Sequence, residues 1–170
     1  MIEIHTTSLF QADVDALVNP VNCVGVMGKG LALAFKRTFP VTSQRYIRAA
    51  RAGEVQIGRI CVAERPGAPR YILHVPTKKH WRSRSTLEDV EAGITALAET
   101  VRTQGVSSVA IPALGCGLGG LSWAEVEPRI RAAFVTMPEV KVMLFPPQGA
   151  AGTTATPAPT RRARRSSRRS

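Results

Sequence analysis

Three segments contain the residues whose types and spacing could do chemistry. They are NPVNCVGVMGKG (19–30), PTKKHWRS (76–83) and PALGCGLGGLSW (112–123). Each follows an apolar run that is expected to be a strand, and ligands of open α/β sheets lie at the carboxyl ends of strands. One glycine-rich loop is usually an ordinary tight turn. Three such segments, each following a strand, predict a single composite binding site.

The first segment combines an amide side chain with closely spaced glycines. Asn22 can both donate and accept hydrogen bonds, which suits ribose hydroxyls, although by itself it is equally a turn residue. Gly25, Gly28 and Gly30 allow the backbone to approach a ligand closely. A helix beginning near Gly30 would direct its amide groups and positive dipole end at this loop, as a pyrophosphate site requires. The spacing is neither a Walker A loop nor GxGxxG, and we expect Lys29 to be solvated.

The second segment is a basic cluster that follows a strand. Lys79, His80 and Arg82 suit an anionic ligand or a nucleic-acid backbone, and Trp81 could stack on a base. The alternative is a solvated basic loop. Lys78 comes directly off the strand end, so we expect it to be half-buried and to face the site. A lysine removed from water gives up its proton more easily and can act as a base or a nucleophile.

The third segment predicts a second anion cradle built from backbone N–H groups. Four glycines lie between a strand and a helix with Ser122 at its N-terminus: Gly115, Gly117, Gly119 and Gly120. Cys116 could be a nucleophile, but no partner histidine lies nearby in the sequence, and we interpret it as a small packing residue. Two cradles suit a diphosphate ligand with a sugar on each side.

The elements that must position these segments alternate along the chain. Helices are predicted over Gly30–Arg37 and Val41–Arg51, from a Ser85–Glu88 capping box to Gly105, and over Trp123–Phe134, where Pro128 should introduce a kink. β-Branched runs predict six strands: Ile2–His5, Ala16–Asn19, Ile60–Ala63, Tyr71–Val75, Val106–Ile111 and Val140–Phe145. This alternation predicts a three-layer α/β/α domain with a mixed or mainly parallel sheet.

The composition divides the 170 residues into one domain and a tail. After Phe145 the chain becomes rich in Pro, Gly, Ala and Thr, so we expect a folded domain over 1–146 and a disordered linker and Arg-rich tail over 147–170. The net charge is +11, but residues 161–170 contain six arginines, which leaves 17 basic and 12 acidic residues elsewhere. The tail is either solvated or binds polyanions.

Composition also excludes several classes of protein. No run approaches the roughly 20 apolar residues of a membrane span, and the N-terminus has no export signal. The three cysteines have neither paired spacing nor a histidine cluster, so we expect no disulfide framework, no metal site and a cytoplasmic location.

The three segments, in this order, resemble those of the macro domain. More narrowly, they resemble the DNA ADP-ribosyl glycohydrolases of the DarT/DarG toxin–antitoxin type, which are related to the terminal ADP-ribose protein glycohydrolases. The resemblance covers about residues 1–145 and implies a three-layer α/β/α fold with a mixed central sheet that binds ADP-ribose without a cofactor. Loop 25–30 would surround the distal ribose, together with Asn22, and loop 115–121 would hold the diphosphate. Lys78 matches the lysine that this branch needs for glycosidic cleavage, so the expected catalytic residues are Lys78 and Asn22.

The resemblance also implies a substrate and a full set of contacts. The substrate would be ADP-ribose linked to thymine in single-stranded DNA, met by Lys79, His80, Trp81 and Arg82. The partner would be a DarT-like toxin, and we expect a monomer. The expected ligand-binding residues, besides Asn22 and Lys78, are Ser8, Leu9, Asn19, Gly25, Val26, Met27, Gly28, Gly30, Pro76, Thr77, Leu114, Gly115, Cys116, Gly117, Leu118, Gly119, Gly120 and Leu121.

Two positions depart from the family pattern. Many macro domains have a Gly-Asp pair that reads adenine, where this chain has Thr7 and Ser8. Adenine recognition would then be weaker, or it would be carried by Ser8 or the backbone. The protein-directed relatives have an aspartate where this chain has Gly119, which argues against hydrolysis of protein glutamate esters. Three alternatives stay open: a reader that does not turn ADP-ribose over, a hydrolase acting on acidic protein side chains, and a nucleic-acid-binding protein.

Overall fold

The computed structural model describes residues 1–149, in which six strands form one sheet. The strands are β1 (Ile2–Ile4), β2 (Ala16–Asn22), β3 (Cys61–Glu64), β4 (Tyr71–Lys78), β5 (Ser108–Pro112) and β6 (Lys141–Phe145). β2 and β4 each extend three residues beyond their predicted ends, because the two strands stay paired up to Asn22 and Lys78. The predicted positions of all six strands are confirmed.

Four helices connect the strands, and a short 3-10 turn follows β1. The helices are α1 (Gly30–Thr38), α2 (Pro40–Arg51), α3 (Leu87–Thr103) and α4 (Trp123–Phe134), and the 3-10 turn is Leu9–Gln11. The predicted Ser85–Glu88 capping box is wrong. Thr86 is the N-cap of α3, and its hydroxyl accepts from the backbone N–H of Asp89. α4 begins at Trp123, as predicted, and contains Pro128 within it, so the proline does not delay the start of the helix.

The sheet order is β1-β6-β5-β2-β4-β3, and every pair is parallel except β3–β4. Alternate residues of each strand point to opposite faces, so Val18 joins the core beneath α3 and α4, while Leu17 joins the core beneath α1 and α2. Both faces are therefore covered, which accounts for the nearly continuous apolar strands. The prediction of a three-layer α/β/α domain with a mixed sheet is confirmed.

The sheet opens at one point, between β2 and β5. These neighbours pair only at Ala16 and Leu17, although β2 continues to Asn22. The chain leaves β2 through α1 and α2 on one face and leaves β5 through α4 on the other. Such a switch point leaves a crevice at the carboxyl ends of the two strands, where α/β folds bind ligands.

The linker from Ala150 onward and the Arg-rich segment 161–170 lie outside the described residues, so the prediction of a disordered tail stays a prediction. Within the described part of the chain, no helix is both long and apolar enough to cross a bilayer.

Candidate functional site

A cleft of about 1040 Å³ lies at the carboxyl edge of the sheet, over the gap between β2 and β5. Its floor includes Pro20 and Asn22 from the end of β2, and Pro112 and Ala113 from the end of β5. The volume is at the upper end of the range for small-molecule sites, roughly 300–1000 Å³. The cleft therefore has room for a ligand as large as a dinucleotide-like diphosphate.

Asn22 organises the loop that forms one wall of the cleft. Its Nδ2 donates to the carbonyl of Val26 at 2.8 Å, and its Oδ1 accepts from the backbone N–H groups of Val24 and Val26. The buried Tyr46 hydroxyl donates to the Asn22 carbonyl at 2.7 Å and lies 3.1 Å from Oδ1. The amide is 5% exposed. Much of its hydrogen-bonding capacity serves the loop, and the second Nδ2 proton is available to a ligand.

Lys78 lies beside Asn22 at the edge of the sheet. The two residues are register partners on the parallel strands β2 and β4, after an irregularity in the pairing that follows Val21. Lys78 is half-buried, lines the cleft, and donates from Nζ to the carbonyl of Trp81 at 3.1 Å. The register thus brings the two predicted catalytic residues to one point, as the sequence led us to expect.

Of the basic residues at the end of β4 and in the segment after it, only Lys78 lines the cleft, together with the aromatic Trp81. The Trp81 ring is 41% exposed, stacks with His80 at a centroid distance of 5.6 Å, and has the Arg82 guanidinium 4.5 Å from its centroid. Lys79 is exposed, and its carbonyl accepts from the N–H of Cys23. The segment forms an exposed aromatic and cationic lip beside the cleft.

The third segment forms the wall opposite α1. Gly115 has a φ of +71°, which allows the turn that brings the N–H of Leu121 to the Gly115 carbonyl at 2.9 Å. Among residues 1–149, the amides of Gly117, Leu118 and Gly119 donate to no protein group. They are available to an anionic ligand, as the cradle hypothesis requires.

The N-terminus of α1 supplies the second set of free amides. Gly30, Leu31 and Ala32 line the cleft, and the N-cap residue Lys29 makes no side-chain capping bond. The first bond of the helix is from Leu33 to the Lys29 carbonyl, so the preceding amides have no helical partner. An anion at this end of the helix would satisfy them and would interact favourably with the helix dipole.

The charge of the cleft wall has one sign. Lys29 and Lys78 both line it, and no aspartate or glutamate is among the described lining residues. Lys29 was expected to be solvated; it is exposed but borders the cleft. Two lysines together with two sets of free amides favour a ligand with more than one negative charge.

The structure divides the predicted site residues into two groups. Besides Asn22, Lys78 and Trp81, the predicted residues that line the cleft are Ser8, Leu9, Val26, Gly28, Gly30, Thr77, Gly115, Gly117, Leu118 and Gly119. The predicted ligand-binding residues that lie outside it are Asn19, Gly25, Met27, Pro76, Leu114, Cys116, Gly120 and Leu121. The second group supports the loops from behind, since neighbouring residues of a strand or tight loop point in different directions.

Several members of this second group have clear structural roles. Gly25 packs against α2, where an added Cβ would stand 3.1 Å from that of Ala50. Met27 and Leu114 are core residues that are 3% and 0% exposed. Burial raises the pKa of the Cys116 thiol to about 11, so the thiolate that a nucleophile needs is not formed near neutral pH. This supports the interpretation of Cys116 as a packing residue.

Asn19 belongs to a buried polar cluster beneath the cleft. It is fully buried, and its Nδ2 lies 3.1 Å from His74 Nδ1 on β4. His74 stacks on Tyr46, whose hydroxyl holds Asn22, so the cluster supports the loop from below. Burial lowers the pKa of His74 to about 4, which keeps the ring neutral.

The sequence did not indicate the end of the cleft that follows β6, nor several residues along its walls. The additional lining residues are Thr6, Thr7, Phe10, Pro20, Val21, Lys29, Leu31, Ala32, Ala34, Pro112, Ala113, Phe145, Pro146, Pro147 and Gln148. The residues that follow β6 could have been predicted to line the site, because the carboxyl end of β6 lies at the same edge of the sheet as those of β2 and β5. The cleft continues two residues beyond the predicted domain boundary at 146.

This fold and cleft are those of the macro domain. The chain matches the Macro domain family model over residues 18–130, and it belongs to that family. It is 46% identical over 151 residues to a DNA ADP-ribosyl glycohydrolase of Mycobacterium tuberculosis, and 48% identical over 149 residues to that of Thermus aquaticus. These matches cover 88% and 86% of this chain but 43% and 41% of the relatives, so the chain spans about two fifths of their length.

Solved structures agree with this assignment. The macrodomain of Mycobacterium tuberculosis DarG superposes with a TM-score of 0.85, and the match covers 86% of this chain and 98% of that one. Thermosipho africanus DarTG in complex with ADP-ribose is 30% identical and superposes with a TM-score of 0.80, covering 86% of this chain and 42% of that one.

Proposed function

We propose that this domain binds ADP-ribose in the cleft and hydrolyses the bond between ADP-ribose and a thymine base of single-stranded DNA. The observation that carries the proposal is the pairing of Asn22 with Lys78 at the floor of a cleft whose described lining residues include two lysines and no acid. The relatives that are 46% and 48% identical are named DNA ADP-ribosyl glycohydrolases, and the Thermosipho africanus relative was solved with ADP-ribose.

The ligand would lie across the gap between β2 and β5. Its diphosphate would accept from the amides of the 115–121 loop and of the α1 N-terminus, and Lys29 would add a positive charge. The distal ribose would lie against the loop that Asn22 holds, close to Lys78. The adenosine would extend toward the 3-10 turn and the end of β6. Ser8 is the polar side chain at that end that the sequence already indicated.

Lys78 is the residue that we assign to the cleavage step. Hydrolysis adds a hydroxyl group to the anomeric carbon and breaks its bond to the thymine nitrogen, which takes up a proton. Lys78 could attack the anomeric carbon, displacing the thymine nitrogen and forming an adduct that water then hydrolyses, or it could remove a proton near that carbon. The residues themselves favour neither route. Positioned proton transfer contributes typically about 10²–10⁴-fold, and a fixed ribose would supply much of the remaining acceleration.

DNA is favoured over acidic protein side chains as the target because of Gly119. It is buried, and an added Cβ would stand 2.5 Å from the Gly115 carbonyl oxygen and would overlap the Ser85 side chain. The loop therefore has no room for the aspartate that protein-directed relatives have at this position. The lip formed by His80, Trp81 and Arg82 offers stacking and positive charge to a nucleic-acid strand instead.

The partner that produces the substrate would be a DNA ADP-ribosyl transferase. A relative from Thermosipho africanus, 32% identical over 156 residues, is a DNA ADP-ribosyl transferase–DNA ADP-ribosyl glycohydrolase fusion protein. Co-expression with such a transferase should be less toxic with this chain than with its Lys78→Ala variant. Equal toxicity would argue against an antitoxin role.

The proposed function is tested with two substrates side by side. The protein is incubated with a thymine-linked ADP-ribosylated oligonucleotide and with a protein that is ADP-ribosylated on glutamate. We expect release from the oligonucleotide alone. Release from the protein alone would favour the protein-directed alternative. Binding of free ADP-ribose near micromolar Kd, about −8 kcal/mol, without release from either substrate would make the domain a reader.

A further inference from the structure

The two helical layers of this domain have opposite charge. Between Asp15 and Glu54, the chain has six basic residues and no acidic one: Lys29, Lys36, Arg37, Arg45, Arg48 and Arg51. This stretch contains all of α1 and α2. In contrast, α3 and α4 together carry six acidic residues and three arginines. The surface on the α1–α2 side of the sheet is therefore positive, and the surface on the opposite side is not.

The two helical layers also differ in whether their basic residues form ion pairs. Every arginine of α3 and α4 is paired with a glutamate: Arg102 with Glu99, Arg129 with Glu91, and Arg131 with Glu127. No basic residue of α1 or α2 has a carboxylate partner among residues 1–149. The positive charge of the α1–α2 layer is thus left without a carboxylate partner in the described structure, although Arg45 Nη1 donates to the backbone carbonyl of Glu64 at 3.0 Å.

The arginines of α2 form a row on its exposed face. Arg45, Arg48 and Arg51 are three residues apart and exposed, so the row advances about 4.5 Å per arginine along the helix. Like charges at this spacing destabilise a helix by a few tenths of a kcal/mol. Arg48 and Arg51 lie in the last turn, where they complement the helix dipole, but Arg45 lies in the first half of the helix. The dipole therefore accounts for only part of the row.

The C-terminal end of α2 lies behind one wall of the cleft. It packs against the loop that Asn22 holds, since a Cβ added to Gly25 would contact Ala50 and Ile47 of α2. The same loop is also bonded to Lys79, whose carbonyl accepts from the backbone N–H of Cys23. The uncharged residues 23–25 therefore lie between Lys79, which borders the lip, and the C-terminal end of α2.

We propose that this arginine row binds the phosphodiester backbone of the single strand whose modified nucleotide occupies the cleft. The proposal rests on the proposed function. It adds a second contact region on α2, on the other side of the 23–26 loop from the aromatic lip. Phosphate contacts of this kind position a strand without reading its sequence, which suits an enzyme whose specificity resides in the modified base. Three arginines releasing counterions should contribute about 2 to the slope of log K against log salt concentration for a single strand.

Two triple variants with the same change of charge test this proposal. One is Arg45→Gln, Arg48→Gln and Arg51→Gln on α2. The matched control is Arg102→Gln, Arg129→Gln and Arg131→Gln on the opposite layer. Both are made in the full chain, and free ADP-ribose binding and melting temperature report whether each is folded. Affinity for an unmodified single-stranded oligonucleotide is then measured between 50 and 200 mM salt.

We expect the α2 variant to lower the salt slope by about 2, and the control to leave it near that of the wild type. On a long ADP-ribosylated oligonucleotide the α2 variant should raise KM several-fold, with kcat unchanged. On an ADP-ribosylated thymidine, which is too short to reach α2, both parameters should stay at wild-type values. Equal effects of the two triples would mean that only net charge matters, and no effect of the α2 triple would remove the proposed contact.

The oligonucleotide-binding arm separates this proposal from the proposed function. If the wild type binds single strands through α2 but releases no ADP-ribose, the proposed function fails and the contact region stands. If release is normal and the α2 triple behaves like the control, the contact region fails alone.

Discussion

Gly117 and Gly119 are two residues apart in the same loop, and the structure gives them different roles. Gly119 is buried, its carbonyl accepts from the N–H of Ser85 at 3.0 Å, and a Cβ there would meet the Gly115 carbonyl oxygen at 2.5 Å. Gly115 is fixed in turn by its bond from Leu121. Both glycines line the cleft, but a Cβ on Gly117 would meet nothing within 4 Å. Neither residue has a positive φ, so only the surrounding space distinguishes them.

Alanine at each position should therefore have different effects. Gly119→Ala forces a backbone shift, and overpacking of this kind costs about 1–3 kcal/mol. At about 2–4 °C per kcal/mol for a domain of this size, Tm should fall by about 2–12 °C. Gly117→Ala meets no obstacle and restricts the unfolded chain, so it should stabilise the protein by about 0.4–1 kcal/mol. Its methyl group would enter the cleft and weaken ADP-ribose binding.

The assay is thermal melting without ligand, followed by titration calorimetry with ADP-ribose. We expect Gly117→Ala to melt at or above the wild-type temperature and to bind more weakly. Gly119→Ala should melt lower whatever its affinity. If Gly119→Ala melts within 1 °C of the wild type, the packing of Gly119 against Gly115 and Ser85 is not what the structure describes.

Three further predictions concern stability, DNA and the tail. Because burial holds the pKa of His74 at about 4 against 6.5 in the unfolded chain, the unfolded state binds the extra proton as pH falls below 6.5. The free energy of unfolding should therefore drop by about 2 kcal/mol between pH 7 and pH 5. Denaturant titrations should show that drop reduced in His74→Gln, and an equal drop in both proteins would contradict the assignment. Lys79→Ala should weaken affinity for single-stranded DNA with little change in the rate of release, so a lost rate would place the catalytic lysine one residue later. Deleting residues 150–170 should leave ADP-ribose affinity intact and lower the salt slope of DNA binding by about 4; lost folding would move the domain boundary.

Much of the fold was predictable because the local residue pattern and the packing in the folded domain favour the same strands and helices. Strands that are buried on both faces must be apolar throughout, so β2, β4 and β5 stand out in the sequence. Helix ends were less predictable. Ser85 and Thr86 are both suitable N-caps, and Ser85 instead packs against Gly119, a contact between residues 34 positions apart that no local pattern records.

The site residues were predictable where they come at the end of a strand. Lys78 and Asn22 each come at the end of a strand, and the register of β2 with β4 brings them together. The direction in which each residue points was harder to predict. Asn19 lies three residues before Asn22 on the same strand, yet its side chain faces His74 in the core. The contribution of Pro147 and Gln148 was missed because they follow the last strand in a segment whose composition resembles a linker.

The central claim is that Lys78 cleaves ADP-ribose from DNA in this cleft. The most direct measurement is a single-turnover release assay on a single-stranded oligonucleotide that carries ADP-ribose on one thymine, with wild type and Lys78→Ala compared at equal occupancy. We expect the wild type to yield unmodified oligonucleotide and free ADP-ribose. Lys78→Ala should yield neither while keeping its affinity for ADP-ribose within a few-fold, because the loops provide most of the ground-state contacts. Release by Lys78→Ala at the wild-type rate would contradict the role of the lysine. A wild-type protein that binds ADP-ribose but releases none from the oligonucleotide would contradict hydrolysis of this substrate.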